Sequence, residues 1–300
     1  MHWREKPTGQ HMELGIAETN LVGLIGELGA TWSRWGEPLF PIGVMYGPFV
    51  ERALEPWSYG IYAGGQSILV GTPSGSLATE GGAHQSIKTP SIGLEQPGCI
   101  SYEPAFGIDV EWTLLASIGR LGRPDGTSAY LRLSTRPVDQ SLADVPEDPA
   151  ARERRRRQVV AGGYPLVRRE NPAVTIVGMG ALIPEALAAA ERLEQVGVSA
   201  DVLCVTSPGL LFEAVQARRG QGSGPTWILD QLLPADRATP MVTVLDGHPH
   251  TLAFLGGVNR VSSISLGVSQ FGQVGSLEDV YRHHGIDADS IVRAALDALA

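Results

Sequence analysis

Between Ala173 and Val205 the sequence spells out one complete crossover. A β-branched run, Ala173–Val177, meets a turn at Gly178–Gly180. An alanine-rich helix over Pro184–Val196 follows, closed by Gly197, and a second apolar run occupies Ser199–Val205. A strand, helix and strand at this spacing cross over right-handed, with the two strands parallel. A parallel sheet has both faces covered by helices. Thr226–Leu229, Met241–Leu245 and Ser262–Leu266 read as further strands, and Asp289–Leu299 as an amphipathic closing helix. The same alternation runs through the first half. Ile42–Met45, Ser67–Val70 and Tyr130–Leu133 read as short buried strands, and Leu14–Leu28, Phe49–Tyr62 and Ile108–Leu121 as helices. The expectation is an α/β protein of two three-layer α/β/α domains with mostly parallel sheets.

A composition break separates the halves. Residues 143–157, ADVPEDPAARERRRR, are proline-rich and then strongly charged. They read as a solvated linker ending in a short helix, or alternatively as a basic patch that docks an acidic partner. The expected division is a first domain over 1–142, a linker over 143–171 and a second domain over 172–300.

Composition excludes several classes. The 300 residues carry a net charge of −9, which disfavours nucleic acid as a partner, because phosphate binding needs a basic face. No run of 18 apolar residues spans a membrane. The start of the chain has no apolar signal-peptide core. The two cysteines, Cys99 and Cys204, form no disulfide framework and no CxxC, which points to a reducing cytoplasm.

GMGALIPEA at Gly178–Ala186 is a poor dinucleotide loop, because Pro184 takes the third glycine position, so a tight turn is the expectation. DGHPH at Asp246–His250 offers two histidines but no third metal ligand by spacing, so a loop is expected there and no metal site. Glu18, in QHMELGIAETN, sits beside an apolar stripe with Ile16 and Leu21 on the packed side. Burying a carboxylate there is costly unless it is paired. MYGPF at Met45–Phe49 puts two aromatics three apart beside a turn, which core packing alone explains. EGGAHQS at Glu80–Ser86 places His84 on a glycine-rich loop after a strand, a fair catalytic position.

Together these segments resemble one family. GIAETN at Gly15–Asn20 and EGGAHQ at Glu80–Gln85 resemble the pyrimidine-binding domain of transketolase-group thiamine-diphosphate enzymes. CISYEPA at Cys99–Ala105 and LGVSQFGQVGSL at Leu266–Leu277 are similar to the homodimer-forming pyruvate dehydrogenase decarboxylating component. The resemblance runs from about Gln10 to Ala300. It implies a pyrimidine-binding domain followed by a transketolase C-terminal domain. By motif position, Glu18 would hydrogen-bond the pyrimidine ring nitrogen of thiamine diphosphate. Tyr46 and Phe49 would form the aromatic wall against that ring. His84 would face the substrate as a proton donor or acceptor, with Glu80 as its acidic neighbour.

The departures from the pattern shape the rest of the expectation. No GDG…N segment for the diphosphate and magnesium occurs, and only about ten residues precede Gln10. The expectation is therefore one half of a split enzyme, a heterotetramer in which a partner subunit carries the magnesium ligands and covers an open sheet edge. Where sugar-phosphate transketolases have a histidine, VGTPSG holds Thr72, although Arg136 in STRPVD matches a phosphate-binding arginine. This favours a 2-oxo acid over a ketose phosphate as donor. The acceptor is an aldehyde or carrier-bound acyl group if the enzyme is a carbon–carbon ligase. It is a lipoyl group if the enzyme is a pyruvate dehydrogenase component. A non-catalytic scaffolding subunit is the competing class.

Overall fold

The computed structural model describes residues 4–76 and 81–300. It contains two mostly parallel sheets. The first comprises β1 (Ile42–Met45), β2 (Ile68–Gly71), β3 (Cys99–Tyr102) and β4 (Ser128–Arg132), in the order β1-β2-β4-β3, all parallel. The second comprises β5 (Gly163–Val167), β6 (Val174–Met179), β7 (Ala200–Val205), β8 (Met241–Val244) and β9 (Ser263–Leu266), in the order β5-β7-β6-β8-β9. Only β5 in that sheet runs antiparallel, paired with β7.

The inner strands of both sheets are buried on both faces, and alternation along them shows why. Leu69 of β2 packs with Val22, Ile25 and Trp57 under the helices Glu18–Gly29 and Val50–Tyr62. Its neighbours Ile68 and Val70 point the other way, onto Leu114 and Ile118 of the helix Gly107–Ile118. In β6, Val174 and Ile176 face the helices Ile183–Gln195 and Ala288–Leu299, while Val177 and Met179 face Leu211 and Ile228. Each such fully buried aliphatic side chain contributes about 1.5–3 kcal/mol relative to exposure. This burial lets four-to-six-residue strands hold two three-layer domains.

Three segments depart from the expectation. Thr226–Leu229 is not a strand, because Trp227–Leu232 is a helix that buries Ile228, Leu229 and Leu232 at helical spacing. The first helix begins at Glu18 rather than Leu14, and Ile16, placed on the packed side, is 90% exposed. Cys99–Tyr102, quoted only as a motif, is strand β3.

The interval 143–171 is ordered. It holds a helix, Pro149–Ala161, capped by Asp148, and then β5 of the second sheet. Its arginines are structural braces. Arg152, Arg155 and Arg157 lie over the rings of Trp112, Tyr164 and Trp227, and Arg156 pairs with Glu153.

One surface of the first domain is unusually apolar. β1 pairs only with β2, and its outward residues Ile42 and Val44 are exposed, as are Leu39 and Phe40 before it. Among the described residues, no helix is long and apolar enough to cross a membrane.

Candidate active site

Ligands of parallel sheets bind beyond the carboxyl ends of the strands, and the residues singled out above converge there. Glu18 opens the helix Glu18–Gly29, in the first turn, where the helix dipole favours a carboxylate. Its side chain is only 11% exposed. It does not sit in a purely apolar pocket, because Arg52 Nη1 stands 3.6 Å from Glu18 Oε2. Arg52 belongs to the helix Val50–Tyr62, which crosses the first helix closely. A Cβ on Gly26 would lie 3.3 Å from the Cα of Gly60, so glycine at both positions permits the approach that brings Arg52 to Glu18.

Tyr46 follows β1 directly, and a 3₁₀ turn, Gly47–Phe49, carries Phe49 back beside it. Their rings meet edge to face at 5.1 Å. The guanidinium of Arg52 lies over Phe49, 4.5 Å from its centroid. On the other side, the His84 ring stands 5.9 Å from the Phe49 ring. Glu18, Arg52, Phe49, Tyr46 and His84 therefore form one contiguous group. Glu80 lies outside the described residues.

The His84 loop is held largely by the second domain. Backbone hydrogen bonds pair Gly82 with Gly272 in both directions, at 2.8 and 2.9 Å. Earlier in the loop, Ser76 donates its backbone N–H (2.8 Å) and its hydroxyl (2.6 Å) to the buried carboxylate of Asp246. Arg132, the last residue of β4, donates to the carbonyls of Ser86 (3.0 Å) and Asp246 (2.7 Å), to the Thr89 hydroxyl (2.9 Å) and to Glu103 (2.5 Å). This buried hub contains one guanidinium and two carboxylates. Burial pushes the Glu103 carboxyl up to about 7; Arg132 opposes the shift and the charge of Asp246 adds to it.

Sequence reasoning missed Arg52, Glu103, Arg132 and Asp246. A charged residue closing the apolar run Ser128–Arg132 was the available signal for Arg132. Arg136, matched above to a phosphate ligand, is engaged elsewhere. It forms a bidentate pair with Glu185 at 2.6 and 2.8 Å and donates to the Ala181 carbonyl. The turn expected at Gly178–Gly180 comes later, because Gly178 and Met179 end β6 and the chain turns at Gly180 into a 3₁₀ turn, Gly180–Leu182. Gly180 has φ +56°, and a Cβ there would strike the Glu103 carboxylate at 2.5 Å. His248 and His250 contact each other through Nδ1 at 2.6 Å. Among the described residues, no three His, Cys, Asp or Glu side chains gather to hold a metal. Cys99 and Cys204 are buried and unpaired as thiols.

An acid, an aromatic corner and a histidine gather at the carboxyl ends of a parallel sheet, and the fold is of transketolase type. The comparisons agree. Residues 162–287 match the family of transketolase-like TK C-terminal domains. Over 99% of its length the chain is 25% identical to the pyruvate dehydrogenase E1 component of Mycolicibacterium smegmatis, of which it covers 33%. It is 28% identical to a 6-deoxy-6-sulfo-D-fructose transketolase subunit, SqwH, from Clostridium sp. strain MSTE9, over 96% of this chain and 80% of the relative. Among solved structures, transketolase from Leishmania mexicana superposes with a TM-score of 0.72 at 18% identity, covering 95% of this chain and 37% of that one. A split-gene transketolase, described as an inactive beta4 tetramer, superposes at 0.65 with 20% identity, covering 95% of this chain and 82% of that one. The chain thus spans about a third of the pyruvate dehydrogenase relatives and most of the two short ones.

Proposed function

We propose that this chain is the pyrimidine-holding and C-terminal subunit of a two-component, thiamine-diphosphate-dependent enzyme. It would cleave a 2-oxo acid or ketose donor and transfer the acyl or ketol unit to an acceptor. The observation that carries the reading is the grouping of Glu18, Phe49, Tyr46 and His84 at one edge of the first sheet. The side chains suit the cofactor's aminopyrimidine. A largely buried carboxylate offers an acceptor to a ring nitrogen, and an aromatic corner offers a stacking face. When bound, thiamine diphosphate supplies an electron sink for cleavage next to a carbonyl.

The remaining work falls to this chain. Glu18 holds a proton at the ring nitrogen, and Arg52 fixes the Glu18 carboxylate. Phe49 and Tyr46 orient the ring and exclude water from one face. His84, exposed on its loop, gives or takes a proton at the substrate oxygen. Glu80, four residues earlier, is proposed as its acidic neighbour. A partner subunit is proposed to supply the ligands of the diphosphate and magnesium, since the sequence carries no GDG…N segment. The exposed apolar edge at Ile42 and Val44 supports the same partner, as do the two short relatives that this chain nearly spans. Arg136 is already neutralised by Glu185, which favours a donor without a phosphate at that position. A pyruvate dehydrogenase component is the second reading, favoured by the several pyruvate dehydrogenase E1 relatives.

Calorimetry on the full chain tests this with two probes. 4-Amino-2-methylpyrimidine is expected to bind weakly, and to bind about tenfold more weakly in Glu18→Gln and Phe49→Ala. Thiamine diphosphate with magnesium is expected to bind little more tightly than that fragment. Tight magnesium-dependent binding by this chain alone would overturn the split site. Fragment binding indifferent to both substitutions would overturn the assignment of the pocket.

A further inference from the structure

A cleft of about 670 Å³ opens at the opposite ends of the strands from the candidate site. Its lining includes Gly98–Ile100 at the start of β3 and Thr127 just before β4, and so lies at the amino ends of the first sheet. None of the residues grouped around Glu18 contributes to it. The second domain closes it with Leu210, Phe212 and Trp227, and the Pro149–Ala161 helix adds Arg157. The volume falls in the range of small-molecule sites, and a joint between domains is a common place for them.

Its chemistry is selective. Trp227 and Phe212 present aromatic surface to the cleft, and the Arg157 guanidinium lies over Trp227, 5.6 Å from its ring centroid. Arg120 makes no side-chain hydrogen bond or ion pair among the described residues, although its charge is felt by the buried Tyr102 hydroxyl. The Thr127 hydroxyl is buried there without a hydrogen-bond partner, an arrangement that folded proteins rarely leave standing. Glu95 and Glu213 also line the cleft, but both are exposed, while Arg156 is already paired with Glu153. What a ligand could meet is the Arg120 guanidinium, the Thr127 hydroxyl and the ring surface that Arg157 leaves open on Trp227 and Phe254 leaves open on Phe212.

We infer that this cleft is a second binding site, for a small anion that carries a planar apolar ring. The anion pairs with Arg120 and accepts from the Thr127 hydroxyl. The ring lies against Trp227 and Phe212, with Arg157 at its margin. An occupant touches both domains at once. It also touches the start of β3, whose last residue, Tyr102, precedes Glu103 of the hub that holds the His84 loop. This inference is independent of the function proposed above.

Calorimetry of the full chain with phenyl phosphate tests it, with inorganic phosphate carrying the charge alone and benzyl alcohol the ring alone. Phenyl phosphate is expected to bind at submillimolar concentration and each single-feature probe at least about tenfold more weakly. Arg120→Ala and Trp227→Ala, each checked for folding by circular dichroism, are expected to weaken phenyl phosphate about tenfold, and Glu18→Gln to leave it unchanged. No binding at millimolar concentration overturns the inference. So does equal affinity in folded Arg120→Ala and Trp227→Ala. Loss in Glu18→Gln would move the ligand to the other site and overturn it as well.

Discussion

The hub of Arg132, Glu103 and Asp246 makes the stability of this protein depend on pH in a direction opposite to the usual paired carboxylate. Glu103 is buried, its Oε1 accepts from Arg132 at 2.5 Å, and its Oε2 has no partner. Arg132 donates to the Glu103 carboxylate and to the backbone carbonyl of Asp246, whose own carboxylate accepts from Ser76 and adds a second buried negative charge nearby. Burial, with help from Asp246, raises Glu103 from 4.5 to about 7 despite Arg132. Below pH 4.5 the group is protonated in both folded and unfolded chains and changes nothing. Between 4.5 and about 7 the unfolded chain has released the proton and the folded chain keeps it. The folded state then binds more protons, and unfolding free energy falls as pH rises. Above about 7 the loss is complete. At about 1.4 kcal/mol per pH unit, the loss across this window is roughly 3 kcal/mol. Glu103→Gln keeps an oxygen for Arg132 and removes the titration. Urea unfolding at a series of pH values from 4.5 to 8 is expected to show the wild-type midpoint falling, and the variant curve flatter by about that amount. An unchanged pH slope in Glu103→Gln would refute the reasoning. A carboxyl NMR titration of Glu103 with an ordinary midpoint would refute it too.

Two further outcomes follow from the same contacts. Asp246→Ala strands the backbone N–H and hydroxyl of Ser76 in a buried site, and is expected to cost ~2–6 kcal/mol at ~1–3 kcal/mol per orphaned group; amide exchange there is expected to speed up at Ser76 and Gly82, and unchanged protection would show that Asp246 does not anchor the loop. Gly209→Ala places a Cβ 2.3 Å from the carbonyl oxygen of Gly93 in the other domain, and is expected to cost ~1–3 kcal/mol in denaturant unfolding, against no loss if the domains pack independently.

What the sequence disclosed was whatever is written locally. The crossover from Ala173 to Val205 was legible because its β-branched runs, alanine-rich helix and closing glycine lie in order over a short window. The strand assigned to Thr226–Leu229 failed because four apolar-rich residues do not distinguish the two periodicities. Only the continuation to Leu232 and Leu233 reveals helical spacing, with Ile228, Leu229, Leu232 and Leu233 all buried on one core. Ile16 misled in the same way. It fits a stripe if the helix starts at Leu14, but the chain reaches helical geometry only at Glu18. Glu18, Phe49 and His84 were legible as short motifs, each beside its own turn. Their grouping came only from the family resemblance, and no local window showed that Arg52 joins two of them from a separate helix.

The contacts that hold the His84 loop could not be read from any window. Ser76 and Asp246 are 170 positions apart, and Arg132 reaches the Asp246 carbonyl over 114. Such contacts depend on where the carboxyl ends of two separate sheets come to rest, which propensity does not encode. Yet their chemistry is the reason the loop can be both exposed and placed. A glycine-rich segment has many conformations available, and fixing it costs about 1–2 kcal/mol per residue in backbone entropy. The first domain alone offers it few partners. Asp246 binds the chain at Ser76 and Gly272 binds it at Gly82, both from the second domain, and Arg132 donates to the Ser86 carbonyl. The second domain therefore acts on the proposed site without lending it a reacting group: it converts a floppy stretch of glycines into a platform that sets His84 against Phe49.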